Sequence, residues 1–183
     1  MKSIVNSSNT YTMPSSPRTA RVKSVKLYQL NAENDYEFLK NAANIPDNKI
    51  YHCNEGYSNI IDQDIKQLLM NFKINNYSLR WIGSMVADCH QILMNGGLFL
   101  YTGNEKNPNG KIRFYYEALP FAFIFKQLDG IALNHNFNDI LENLSNKKLK
   151  SSNIHATVPI ILCNKNDERK INEFLDYNNT INC

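Results

Sequence analysis

At 183 residues, with 43% hydrophobic and 20% charged residues and a formal net charge of +3, the chain has the composition of one folded domain rather than of a disordered or membrane-spanning protein. Its longest apolar runs, Pro120 to Phe125 and Val158 to Cys163, are of core length and fall well short of a bilayer-crossing helix. Cations and anions intermingle after Glu33, so no field strong enough to attract nucleic acid builds up, and neither nucleic acid nor membrane is expected as a partner.

Residues 1–24 are polar and rich in Ser, Thr, Asn and Pro, with no acidic residue before Glu33, which predicts a tail with little fixed structure. Lys2, Arg18, Arg21 and Lys23 are also compatible with an organellar transit peptide, but no amphipathic helix accompanies them, and a cytoplasmic location is expected. A folded domain over 25–176 and a short tail over 177–183 follow. Within the domain, Lys49 to Cys53 reads as a strand. Ile60, Ile61, Ile65, Leu68, Leu69 and Phe72 share one helical stripe, with Ser58 or Asn59 as its cap. Met85 to Met94 forms a second helix closed by Asn95-Gly96-Gly97. Leu98 to Tyr101 and Lys111 to Tyr116 read as strands around the turn signal Asn107-Pro108-Asn109-Gly110. Pro120 opens a third helix whose Phe121, Phe123, Ile124, Phe125 and Leu128 are apolar nearly all round, and Leu128-Asp129-Gly130 ends it with a glycine cap. Ile131 to Leu133 and Val158 to Leu162 add strands, and Ile171 to Leu175 a short final helix. The pattern predicts an α/β layered domain, with a mixed central sheet flanked by helices.

Cys53, Cys89, Cys163 and Cys183 show no paired spacing, and His52, His90, His135 and His155 stand at no familiar ligand separation from them. Neither zinc nor a disulfide framework is indicated, and reduced thiols are expected. The abundant asparagines read as compositional bias rather than as a site.

The segment Tyr101 to Glu117 is the most informative. On a strand, residues two apart share a face, so Lys111 and Arg113 stand side by side, and two adjacent cations call for an anion or a carboxylate nearby. Such a group suits phosphate, whose spread negative charge is handled by Lys, Arg and metal ions. Alone, Tyr57 and Tyr101 read equally as half-buried core aromatics, and Asn54 as a turn residue.

Six stretches in the same order resemble the consecutive motifs of class I fructose-1,6-bisphosphatase. They are Asn54-Glu55-Gly56-Tyr57, Arg80 to Asp88, Gly96 to Tyr101, Gly110 to Arg113, Tyr116 to Pro120, and Ile154-His155 with Val158 to Leu162. The resemblance runs from about Val25 to about Leu175 and covers only the C-terminal, sugar-phosphate-binding half of that family. It implies a fold like that half, and a 6-phosphate site made by Asn54, Tyr57, Tyr101 and Lys111, with Arg80 reaching in from a neighbouring subunit. Ser84 and Met85, at a helix start, would meet the sugar. Glu117 matches the one metal-binding carboxylate the family keeps in this half. Magnesium is the implied cofactor, but its other carboxylates belong to an N-terminal half with an Asp-Pro-Leu-Asp-Gly-Ser type motif that does not occur here, so no catalytic residue is assigned and the metal site is incomplete. Glu117 then has Arg113 or Lys111 as alternative partners, and Asp88 reads as a structural hydrogen-bond acceptor. The chain departs from the family at Trp81 (usually Tyr), Asn109 (Lys), Ala156-Thr157 (Gln-Arg) and Cys163-Asn164 (Gly-Ser).

The implied role is a carbohydrate phosphatase domain binding fructose 1,6-bisphosphate, with hydrolysis of the 1-phosphate in gluconeogenesis. The alternative is a catalytically inactive sugar-phosphate-binding or regulatory module. A homo-oligomer, or association with a full-length relative, is the expected assembly.

Overall fold

A computed structural model of the chain describes residues 3–6, 25–145 and 153–181. Strands β1 (Ser3–Asn6), β2 (Val25–Leu30) and β3 (Tyr36–Ala42) form an antiparallel sheet in that order, so part of the expected N-terminal tail is a strand. The rest of that region, 1–2 and 7–24, lies outside the described residues.

From there strands and helices alternate: β4 (Ile50–Cys53), α1 (Gln63–Ile74), β5 (Ser78–Arg80), α2 (Met85–Asn95), β6 (Leu98–Tyr101), the short β7 (Ile112–Arg113) and α3 (Leu119–Gln127). β8 (Ile131–Leu133), α4 (Ile140–Ser145), β9 (Thr157–Val158), β10 (Ile160–Cys163) and α5 (Lys165–Ile181) complete the domain. The central sheet has the order β5-β4-β6-β10-β8. Its first three strands are parallel, and β10 runs antiparallel to both β6 and β8, giving the mixed sheet expected from the sequence. β7 and β9 form a separate antiparallel pair, split from β10 by Pro159, which has no N–H to continue a ladder.

The sheet is covered on both faces, and its alternating residues sort into two cores. Phe99, Ile160 and Leu162 pack with Cys89 and Ile92 of α2 and Ala122 and Phe125 of α3. Leu98, Leu100, Ile161 and Cys163 pack on the other face with Leu68 and Phe72 of α1 and Ile171 of α5. Runs of consecutive apolar residues in β6 and β10 are what strands buried on both sides require. α5 is anchored through a buried cluster: the Tyr77 hydroxyl donates to Asp167 Oδ1 at 2.5 Å, and Lys170 Nζ donates to the Tyr77 oxygen at 2.5 Å. Burial pushes the Asp167 carboxyl upward, against the bond from Tyr77 and the nearby charge of Lys170.

Several boundaries differ from expectation. The cap of α1 is Asp62, whose carboxylate accepts from the Asp64 N–H at 2.9 Å, and Ile60 and Ile61 precede the helix. Asp129, with φ 58, takes the left-handed position after α3, and the Gly130 N–H donates to Phe125 O at 2.8 Å. Glycine at 130 answers a packing demand instead, since a Cβ there would meet Ile45 Cδ1 at 2.6 Å. α5 begins after Asn164, whose Oδ1 accepts from the Asp167 N–H at 2.8 Å, and it continues to Ile181 through the residues expected to be tail.

The end of the sheet where the parallel strands begin is bolted by side chains to backbone carbonyls: Asn48 Nδ2 to Asn95 O at 3.1 Å, Lys49 Nζ to Asn75 O at 3.1 Å and Asn164 Nδ2 to Pro46 O at 3.2 Å. Phe99 is fully buried in the middle of the sheet, so Phe99→Ala is expected to cost about 3–5 kcal/mol in urea unfolding, whereas a loss under about 1 kcal/mol would contradict this packing.

Candidate functional site

The parallel strands β4, β5 and β6 end along one side of the sheet, where ligands of open α/β sheets bind. After β4, Asn54 Oδ1 accepts from the Gly56 N–H at 3.1 Å and starts a tight 3-10 turn over Glu55–Tyr57. Glu55 holds that turn to the domain, accepting from the Tyr51 hydroxyl at 2.5 Å and pairing with Lys73 Nζ at 2.6 Å. The Tyr57 ring is left exposed beside the end of β6.

β6 delivers Tyr101 to the same region, and the loop after it folds back on itself. Asn104 Oδ1 accepts from the N–H groups of Lys106 at 3.0 Å and Asn107 at 2.9 Å. Gly110, at φ +66, closes the expected turn by donating to Asn107 O at 2.9 Å. Ile60 and Ile61, outside α1, hold this loop from below: Ile60 O accepts from the Glu105 N–H at 3.0 Å, and Ile61 bridges to Asn104. The chain returns with Lys111 Nζ 5.9 Å from the centre of the Tyr57 ring, a cation–π distance.

The third wall comes from the segment after β5. Gly83 has φ +84, and Ser84 precedes α2 without making a side-chain cap bond. Trp81 packs its ring 6.3 Å from those of Phe99 and Tyr101. The fourth wall departs from the predicted strand. β7 ends at Arg113, and Phe114–Ala118 make a π-helical turn into α3. Glu117 stabilises that turn, with Oε2 accepting from the Arg113 N–H at 2.6 Å and Oε1 lying 3.4 Å from Arg113 Nη1. Single π turns of this kind are frequent at functional sites.

These walls enclose two adjoining cavities that share Tyr101. A small one is lined by Asn54, Tyr57, Tyr101 and Asn104, and an open cleft of about 400 Å³ by Trp81, Ser84, Met85, Tyr101, Lys111, Arg113, Tyr116 and Glu117. Of the residues singled out from the sequence, Asn54, Tyr57, Ser84, Met85, Tyr101, Lys111 and Glu117 are brought together here. Arg80 is not: it is exposed on the edge strand, and its Nη1 donates to Leu79 O at 2.9 Å. Tyr116, whose hydroxyl lies 3.0 Å from His155 Nδ1, is a lining residue with no separate signal in the sequence. Of the two alternative partners that the sequence offers Glu117, the structure pairs it with Arg113. Asp88 is fully buried and accepts from the Ile82 N–H at 3.1 Å, the structural role read from the sequence. Burial, then the neighbouring Tyr57, raises the Tyr101 hydroxyl above its ordinary value, so it remains a neutral donor and acceptor at neutral pH.

The donor set bears on magnesium. Hard divalent cations take several oxygen ligands, whereas both oxygens of Glu117 are engaged by Arg113, and the described residues hold no group of three or more His, Cys, Asp or Glu side chains placed for a metal. The described residues therefore do not by themselves make a magnesium site.

The cleft gathers hydroxyl, amide and ammonium groups at the carboxyl ends of the parallel strands of an α/β domain. The profile of the family described as "Fructose-1-6-bisphosphatase, C-terminal domain" matches residues 45–176, well over half of the chain, and the chain belongs to that family. Among similar proteins, the fructose-1,6-bisphosphatase class 1 of Sulfurihydrogenibium sp. (strain YO3AOP1) is 41% identical over 128 residues, 69% of this chain and 38% of that protein. Fructose-1,6-bisphosphatase 1 of Rattus norvegicus is 38% identical over 71% of this chain and 34% of its own length. The fructose-1,6-bisphosphatase of Kluyveromyces lactis is 47% identical over 54% of this chain and 30% of its own. The chain spans about a third of the length of the curated relatives it matches.

Cys53, beside the small cavity, has its thiol pushed up to about 12, mainly by burial and then by the Glu55 charge. Since only the thiolate alkylates, iodoacetamide at pH 8 is expected to modify Cys53 only after unfolding; labelling at a free-thiol rate in the folded chain, read by peptide mass spectrometry, would contradict its burial.

Proposed function

We propose that this chain is the sugar-phosphate-binding portion of a fructose-1,6-bisphosphatase and takes a sugar bisphosphate in the cleft around Tyr101. The observation that carries the reading is the convergence of Asn54 and Tyr57 from the end of β4, Tyr101 from β6 and Lys111 from the returning loop. Asn and Tyr donate neutral hydrogen bonds and Lys adds charge, which suits the distal 6-phosphate. Ser84 and Met85 sit at the start of α2, where backbone amides face sugar oxygens or anions. Arg80, which does not line its own cleft, is assigned to that of a neighbouring subunit, which requires a homo-oligomer or association with a full-length relative.

In this reading, hydrolysis of the 1-phosphate, the gluconeogenic step, would require further metal-holding carboxylates from a partner half, to which Glu117 would add one. Reduced, buried thiols suit a cytoplasmic setting. The pairing of Glu117 with Arg113 also favours a second reading, in which the chain binds sugar phosphates without catalysing.

Phosphate release from fructose 1,6-bisphosphate with magnesium, measured beside Glu117→Ala, separates the two. Binding without release is expected for this chain alone, and release that disappears in Glu117→Ala would establish a metal site built from further carboxylates. Lys111→Ala is expected to weaken fructose 1,6-bisphosphate roughly tenfold or more in calorimetry, since a hydrogen bond to a charged group contributes about 1.5–3 kcal/mol. Unchanged affinity in Lys111→Ala would remove the cleft as the binding site, and unchanged affinity in Arg80→Ala would remove the cross-subunit assignment.

A further inference from the structure

His52 and Asp88 form a buried polar pair in the middle of an otherwise apolar core. Their exposures are 1% and 0%, and His52 Nδ1 lies 2.7 Å from Asp88 Oδ1. A carboxylate only accepts, so Nδ1 carries the shared proton. The pair is expensive: burying such groups is offset only by complete hydrogen bonding, yet Asp88 Oδ2 is buried with no hydrogen-bond partner. Stability alone gives no reason for it.

Its position does. His52 lies in β4, two residues before Asn54, where the strand runs out into the turn that presents Tyr57. Asp88 lies in the first turn of α2, and the oxygen that meets His52 also accepts from the Ile82 N–H at 3.1 Å, directly before Gly83 and Ser84. A helix start is usually fixed by the side chain of its N-cap residue. Here Ser84 makes no such bond, and Asp88 fastens the entering chain from inside the helix instead. The Ser84 hydroxyl is thereby left to the cleft, and the two cleft walls are tied through one carboxylate oxygen.

We infer that His52 and Asp88 are positioning residues that lock the Ile82–Met85 wall in register with the Asn54–Tyr57 wall, so that both meet one sugar phosphate. The ligand half of this inference rests on the proposed function; the locking of the wall does not.

The test is amide hydrogen exchange of the ligand-free chain, resolved at Ile82, with fructose 1,6-bisphosphate affinity measured alongside. In His52→Phe, which keeps a ring but no donor, the Ile82 amide is expected to exchange about tenfold faster and affinity to fall about tenfold, while exchange in α1 and α5 stays at the wild-type level. His52→Gln, whose amide can still donate to Asp88, is expected to restore most of both. Asp88→Leu, which removes the acceptor at similar volume, reads the same amide should His52→Phe not fold. Wild-type exchange at Ile82 in folded His52→Phe or Asp88→Leu would overturn the inference, as would equal acceleration throughout the domain. A wild-type chain that protects Ile82 but binds no bisphosphate would overturn the functional reading while leaving the lock intact.

Discussion

Burial of β6 on both faces is the constraint from which the rest of the domain follows. Leu98, Phe99 and Leu100 are fully buried, with β4 on one side and β10 on the other, so the strand must be apolar throughout and its register cannot slip without exchanging the two cores. Gly97 sets where it begins: at φ +110 a Cβ would meet Ile50 O at 2.5 Å, so only glycine lets β6 start tight against β4. Tyr101 emerges at the other end with its ring held against Trp81, and both cavities are built around it.

The cleft is organised before any ligand arrives. Asn54 and Asn104 bond to their own loops, Glu55 is held by Tyr51 and Lys73, and Glu117 is wrapped by Arg113. Two ion pairs at this end of the sheet, Lys73–Glu55 and Arg113–Glu117, are thus already formed, which lowers the cost of ordering these loops on binding.

Much of this architecture can be read from residue patterns, and the exceptions have physical causes. β6, α2 with its glycine closure and the turn at 107–110 rest on local signals strong enough to survive tertiary context. The strand expected through Tyr116 stops at Arg113, where Glu117, four residues on, captures the Arg113 N–H, a local side-chain bond that aromatic propensity does not encode. α5 is mostly polar, so only its short stripe around Ile171 and Phe174 was periodic, and α4 was missed because one short turn carries too little pattern. Asp129 took the left-handed position expected of Gly130, whose lack of a side chain is spent on contact with Ile45. At the site, motif order located the lining residues, whereas the His52–Asp88 pair joins segments 36 positions apart and has no local signature.

The asparagine- and lysine-to-carbonyl bolts at the far end of the sheet divide the labour of the domain. Asn48, Lys49 and Asn164 fasten the loops where β4, β5 and β6 begin, opposite the cleft. Asparagine richness, which reads in the sequence as mere bias, is there a structural material. Substitutions among these fastenings would therefore loosen the framework itself, whereas the loops around Tyr101, at the opposite end, can vary without touching them.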